Sequence, residues 1–129
     1  MPQLAKGGKW VFGWTTIGQD LDVLVPPAAY QEYGFQAHEE VVFLRGSRSS
    51  SGFIMGKRSK VLASIIKTRI LAEGLMGEKM KVRLPSVLGF KAGDKLLVVR
   101  GSGLALSFLR FGRICEEALR HPEIEEFSP

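Results

Sequence analysis

Gly89-Phe90-Lys91-Ala92-Gly93-Asp94-Lys95-Leu96-Leu97-Val98-Val99-Arg100-Gly101-Ser102 is the stretch on which the fold turns, because it occurs twice. The other copy is Gly34-Phe35-Gln36-Ala37-His38-Glu39-Glu40-Val41-Val42-Phe43-Leu44-Arg45-Gly46-Ser47, 55 residues earlier. Outward from it, Ile17-Gly18 with Val23-Leu24-Val25-Pro26 returns 59 residues later as Met76-Gly77 with Val82-Arg83-Leu84-Pro85. Downstream, Phe53 matches Phe108. The offset shrinks because Pro26 to Gly34 is a longer connection than Pro85 to Gly89. Two unrelated apolar runs do not share Pro, Gly-Phe and Arg-Gly-Ser in one order, so the chain is internally duplicated.

Each copy reads as strand, turn, strand, connection, strand, turn, strand. First strands are expected at 9–17 and 70–76, with Gly13 and Gly74 as weak points or bulges. Residues 21–25 and 80–84 alternate with period 2, the mark of a half-buried strand. Leu21, Val23 and Val25 then face inward, as do Met80, Val82 and Leu84, and Lys79, Lys81 and Arg83 face outward. Residues 41–44 and 96–99 are continuous apolar β-formers expected to be buried on both faces. Gly46 and Gly101 close those strands, and fourth strands follow at 52–55 and 104–109.

Pro26 to Gly34 predicts a short helix, proline at its start and glycine just past its end, whereas 85–89 is only a turn. Ser59 caps an expected helix reaching Arg69, with Val61, Leu62, Ile65 and Ile66 on one face. Residues 114–120 predict a terminal helix before Pro122 and an acidic tail. The organisation expected is a first repeat at 1–56, a basic linker at 57–69, a second repeat at 70–110 and a terminal helix and tail at 111–129, the repeats sharing one core.

Composition bounds the function classes. The 129 residues are 45% hydrophobic, 24% charged and 9% aromatic, which excludes a disordered or low-complexity chain. Cys115 is the single cysteine and has no intrachain partner, which fits a reducing compartment. No apolar run approaches the ~20 residues of a membrane span, and Met1 to Lys6 carries no signal-peptide core, so a cytoplasmic protein is expected. The net charge of +5 is unevenly spread. Residues 1–56 carry −1, 57–83 carry +6, 84–115 carry +4 and 116–129 carry −4.

The run Val82-Arg83-Leu84-Pro85, then Leu88-Gly89-Phe90-Lys91-Ala92-Gly93-Asp94-Lys95-Leu96-Leu97-Val98, resembles the SpoVT/AbrB-type domain. That resemblance spans Met76 to about Val99, and Ile17 to Leu44 more loosely. Related cradle-loop barrels, including double-psi barrels, share the Gly-Asp turn. Members of the family are typically DNA-binding transcription regulators or antitoxins in which two polypeptides build a swapped-hairpin β-barrel. For this chain the resemblance implies a mainly β fold in which two tandem copies close such a barrel internally, a pseudo-dimer or weak homo-oligomer. His38-Glu39 replaces Gly-Asp in the first copy; histidine tolerates left-handed φ, and glutamate is a longer acceptor.

DNA binding then falls to the basic second copy, with Lys79, Lys81 and Arg83 on phosphate and Lys57, Arg58 and Lys60 in support. The matching first-copy positions are Asp20, Asp22 and Leu24, so the sign reverses between arms. Either one arm alone meets DNA, or the acidic arm, through Asp20 and Asp22, meets the basic arm of another molecule. The rival expectation is therefore a protein-interaction module on the same fold. Arg45 and Arg100, in the two Arg-Gly-Ser turns, are expected to bond carbonyls or an acid, with phosphate binding beside Ser47, Arg48 and Ser102 as the alternative. Trp10 and Trp14 lie four apart on one expected strand face. His38, His121, Cys115 and the acids of the tail form no catalytic or metal-ligating pattern, so neither enzyme activity nor a cofactor is expected.

Overall fold

The computed structural model describes residues 10–46 and 51–129. Its elements are β1 (Val11–Thr16), β2 (Asp22–Leu24), α1 (Pro27–Glu32), β3 (Glu40–Arg45), β4 (Phe53–Lys57), α2 (Arg58–Leu62), β5 (Ile70–Leu75), β6 (Lys81–Arg83), β7 (Lys95–Val99), β8 (Ala105–Leu109), α3 (Arg113–Ala118) and β9 (Glu126–Phe127). The fold is mainly β, as expected, with three short helices. The expected contribution of Lys9 to β1, the turn residues Ser47 and Arg48, and the segment Met1 to Lys6 lie outside the described residues.

Seven strands form one sheet in the order β5-β3-β4-β8-β7-β1-β9, and β2 pairs with β6 in a separate two-stranded ribbon. Apolar burial accounts for the central order. Val41 to Leu44 and Leu96 to Val99 are buried on both faces, so β3 and β7 must each sit inside the sheet with cover on either side. The closed barrel expected from the duplication is not formed: β5 and β9 end the ladder on opposite sides. Two features keep it open. The tail returns as β9 and pairs parallel to β1, taking that edge. The second strand of each copy leaves the sheet to make the ribbon.

The register is equivalent in the two halves. Thr16 lies opposite Lys95 and Trp14 opposite Leu97 in β1–β7. Their counterparts, Leu75 opposite Glu40 and Glu73 opposite Val42, pair in β5–β3. Each ladder slips at the same place, skipping Phe12 in one and Leu71 in the other. Val23 faces its own counterpart Val82, and Phe53 faces Phe108. The turns agree too. The Gly93 amide donates to Ile17 O (2.7 Å) and the His38 amide to Met76 O (2.7 Å).

The Gly-Asp turn survives its substitution. Gly93 has φ +92° and His38 has φ +68°. Asp94 Oδ2 accepts the Lys91 amide at 2.9 Å, and Glu39 Oε1 accepts the Gln36 amide at 3.2 Å. The longer acid thus does the same work from a slightly greater distance.

One face of the sheet, the ribbon and α1 enclose the main core, where the Phe53 and Phe108 rings stack 4.5 Å apart. On the outer face, α3 and Ile124 cover Val11, Trp14, Leu97 and Val99. At the opposite end, Val61 of α2 covers Val42 and Leu44. The helix expected over 59–69 is broken: α2 stops at Leu62 and a 3₁₀ turn follows at Ile65–Arg69. Ser64 is extended and its hydroxyl donates to Val61 O (2.7 Å), competing with the helical ladder. The expected apolar face is therefore split, with Val61 buried and Ile66 packed, while Ile65 is 91% exposed. Trp10 and Trp14 do not share a face either. The bulge at Phe12 intervenes, so Trp14 is buried and Trp10 is half-exposed under the Arg100 guanidinium (5.7 Å).

Candidate nucleic-acid interface

The ribbon determines where the second-copy cations stand. Gly77 donates to Lys81 O (2.7 Å), forming a tight loop in which Lys79 (φ +57°) and Met80 (φ +62°) are both left-handed. Lys79 is consequently in a turn, not on β6, which corrects the expected three-cation face. Only Lys81 and Arg83 lie on the strand, flanking buried Val82. Met80 is only partly buried for the same reason, whereas Leu84 and Val82 reach the core as expected.

Antiparallel pairing about Val23 and Val82 puts Asp22 opposite Arg83 and Leu24 opposite Lys81. Asp22 Oδ1 accepts from Arg83 Nε at 3.4 Å. The sign reversal between the copies is thus met inside one chain: the acidic arm holds the basic arm of its own molecule. Two second-copy ribbon strands paired in this register would instead set Lys81 against Arg83 twice, a like-charge arrangement that disfavours exchange between molecules. Asp20 is exposed at the turn before β2.

The supporting cations divide in the same way. Lys57 Nζ lies 3.3 Å from Glu39, and Arg58 Nε bonds Glu73 (2.5 Å) with Glu40 at 3.4 Å. Hydrogen bonding to Glu73 raises the Arg58 pKa above its ordinary value. Lys60, Lys79 and Lys81 make no ion pair with any of the described residues, and Lys60 and Lys79 are exposed. The expected division into primary cations (Lys79, Lys81, Arg83) and supporting ones (Lys57, Arg58, Lys60) is thus cut across by ion pairing, and the separation of Arg83 from Lys81 follows from the repeat once Val23 is set against Val82.

Arg100 meets an acid as expected. Nε and an Nη each donate to Glu32 at 2.6 Å, a bidentate pair that ties β7 to α1. Beside it, the Tyr33 hydroxyl donates to Ser102 O and accepts from the Gly101 amide, each at 3.1 Å. These groups line a cavity of about 140 Å³ in which the arginine is already committed to Glu32. Arg45 contributes its carbonyl, which accepts from Arg69 (2.6 Å).

Cys115 is buried against the outer face, and burial pushes its thiol up to about 11. Among the described residues no cluster of three or more His, Cys, Asp or Glu is arranged to hold a metal. No helix among them is long and apolar enough to cross a membrane.

His121 lies between two acids, with Nδ1 2.9 Å from Glu123 and Nε2 3.4 Å from Glu117. Hydrogen bonding to Glu123, then to Glu117, raises the His121 pKa, and the same contact lowers that of Glu123. The histidine contribution is complete below its unfolded value near ~6.5 and is lost as pH rises through the raised folded value. The Glu123 contribution is present above roughly 4.3 and is lost as pH falls through the lowered one. Docking of the tail after α3 is therefore firmest between those limits. An NMR titration should place the His121 midpoint above that of a Glu123→Gln variant; equal midpoints would show that the contact is not populated in solution.

No protein-family model matches this chain, and a search of curated proteins finds no match to it.

Proposed function

We propose that the chain is a non-enzymatic DNA-binding protein of the SpoVT/AbrB type, resembling transcription regulators. Its halves exchange strands as a swapped-hairpin pair does, within one polypeptide. Support for the fold reading comes from the register: each copy's first strand pairs with the other copy's third, and the second strands pair with each other. The observation that carries the function is that Lys79 and Lys81, on the second-copy loop and ribbon strand, have no acidic partner among the described residues, and Lys79 is exposed. Cations held in place by a β-turn and free of carboxylates suit phosphate positioning, which supplies most sequence-independent affinity. Lys60 adds a third such charge on α2. Lys57, Arg58 and Arg83, each already paired with an acid, play a smaller part.

An equilibrium titration against mixed-sequence duplex DNA at several salt concentrations tests this. Contact with about four phosphates gives a log–log slope near −3.6. Binding without salt dependence, or none at moderate salt, defeats the proposal.

One observation favours a second reading, a protein-interaction module. Three of the candidate cations are neutralised internally, and Asp20 remains exposed on the acidic arm. A basic partner protein bound through Asp20 and Asp22, with no retention on DNA, would be its signature.

A further inference from the structure

In each half the turn before the third strand touches the loop before the other half's ribbon strand, but the two junctions differ chemically. The His38 amide donates to Met76 O, as the Gly93 amide does to Ile17 O. At the first junction Glu78 is turned back onto the turn, and its Oε1 stands 3.0 Å from His38 Nε2. By the offsets of the duplication, His38 matches Gly93 and Glu78 matches Gln19. The second junction therefore has no side chain on the turn and no charge at the matching loop position. The titratable pair exists only on the loop that carries Lys79.

That loop is held firmly. Lys79 (φ +57°) and Met80 (φ +62°) are left-handed in succession, a conformation that non-glycine residues keep only when their surroundings impose it. The Gly77 amide donates to Lys81 O at 2.7 Å and the Val25 amide to Met80 O at 2.9 Å. The other charges around His38 are already engaged. Glu39 serves the Gln36 amide and Lys57 of β4, and Glu40 serves Arg58 of α2. From α1, Tyr30 has its pKa raised by burial and then by Glu39 and Glu78, so its hydroxyl stays neutral where histidine titrates. Among the described residues Glu78 has His38 as its one ionic partner, and Lys79 has none.

We propose that His38 is a proton-operated counter-ion to Glu78 that sets the charge of the Lys79 loop, a role that rests on the DNA-binding reading of that loop. Histidine is the side chain whose charge changes between about pH 5 and 8. Protonated, the imidazolium cancels Glu78, and Lys79 meets phosphate undiminished. Neutral, it leaves an exposed carboxylate next to Lys79 in the chain, which repels phosphate and competes for the lysine. Affinity for DNA therefore falls as pH rises through the histidine range. The two side chains are 73% and 75% exposed, so the pair adds little to folding and acts on the field at the loop.

Titrations against mixed-sequence duplex DNA at about pH 5.5 and about pH 8 test this. The full chain should lose roughly two- to fivefold in affinity over that range, the size of one exposed ion pair. Glu78→Gln and His38→Gly each place the other copy's residue at the matching position, and thermal melts at both pH values confirm folding. Glu78→Gln should bind at either pH as the full chain does at the lower one; His38→Gly should bind at either as the full chain does at the higher one. His121→Gln should leave the dependence intact, because His121 engages Glu117 and Glu123. NMR gives a readout without DNA: the Glu78 carboxylate and the Lys79 amide should titrate in step with the His38 ring. A Lys79 amide indifferent to that titration would overturn the proposal. So would a pH dependence that survives in Glu78→Gln, which would mean direct phosphate contact by His38, or one that vanishes in His121→Gln. DNA binding with a flat profile would overturn this proposal alone, whereas no binding at either pH would remove the DNA reading and this proposal with it.

Discussion

Phe108→Ala destabilises this chain by about 3–5 kcal/mol, the upper range for removing a buried aromatic ring. Phe108 and Phe53 are almost wholly buried, face each other across β4–β8 and stack at 4.5 Å with an interplanar angle of 12°. Phe53 also meets Phe43 and Phe90 edge-on at 5.8 and 5.5 Å, so the stack is the centre of an aromatic cluster drawn from both copies. The seam cannot close over the void by sliding. Gly52, which leads into β4, lies so near β8 that an added Cβ would stand 1.7 Å from Phe108 O. A loss of that size is a large fraction of the roughly 5–15 kcal/mol that a domain holds in total. Denaturant melts should show a single transition moved to lower concentration with an unchanged slope, since the halves share this core. Phe111→Ala, at a ring 55% exposed, is the control and should stay within about 0.5 kcal/mol. Two separate transitions, or a shift below about 1 kcal/mol, would show that the aromatic cluster at β4–β8 does not couple the copies.

The doubly buried strands are legible in the sequence because Val41 to Leu44 and Leu96 to Val99 admit no polar face, whereas the match of Phe53 with Phe108 marks equivalent positions and leaves the pairing of β4 with β8 to the structure. What escaped was decided by contacts far apart in sequence. β9 is two residues long, and its place depends on room above Gly13 and a charge on Lys95, neither of which leaves a periodic signal. The alternation of Met80, Val82 and Leu84 extends the expected outward strand face to Lys79. Two successive left-handed residues, neither of them glycine, break that alternation just before β6. The first copy shows the milder form, with Leu21 alone left-handed at the position matching Met80. Ser64 breaks the linker helix by a hydroxyl bond that composition does not reveal. The ion pair of Asp22 with Arg83 was within reach, since matched valines placed opposite one another make their neighbours partners. The candidate interface is thus regrouped, with Lys79, Lys81 and Lys60 unpaired among the described residues and Arg83, Lys57 and Arg58 each paired with an acid.

That division predicts an unequal response to mutation. Reversing Lys79 and Lys81 to glutamate should weaken DNA retention on the order of 10²-fold at 0.1 M salt and reduce the salt slope from about −3.6 to about −1.8, since each lost phosphate contact removes about 0.9. Arg83→Gln should cost less than Lys81→Gln, because Arg83 must leave Asp22 before it can reach phosphate, whereas Lys81 faces Leu24. Asp22→Ala provides the opposite sign. It releases Arg83 and removes a nearby negative charge, so DNA affinity should rise severalfold while the ribbon weakens only slightly, Arg83 being largely exposed. Thermal melts of every variant separate lost folding from lost contact. A protein-interaction module predicts another pattern: DNA retention indifferent to Lys79 and Lys81, and capture of a basic partner diminished by Asp22→Ala. The Asp22 substitution therefore decides between the two functions by the direction of its effect, gain on DNA in one case and loss of a partner in the other.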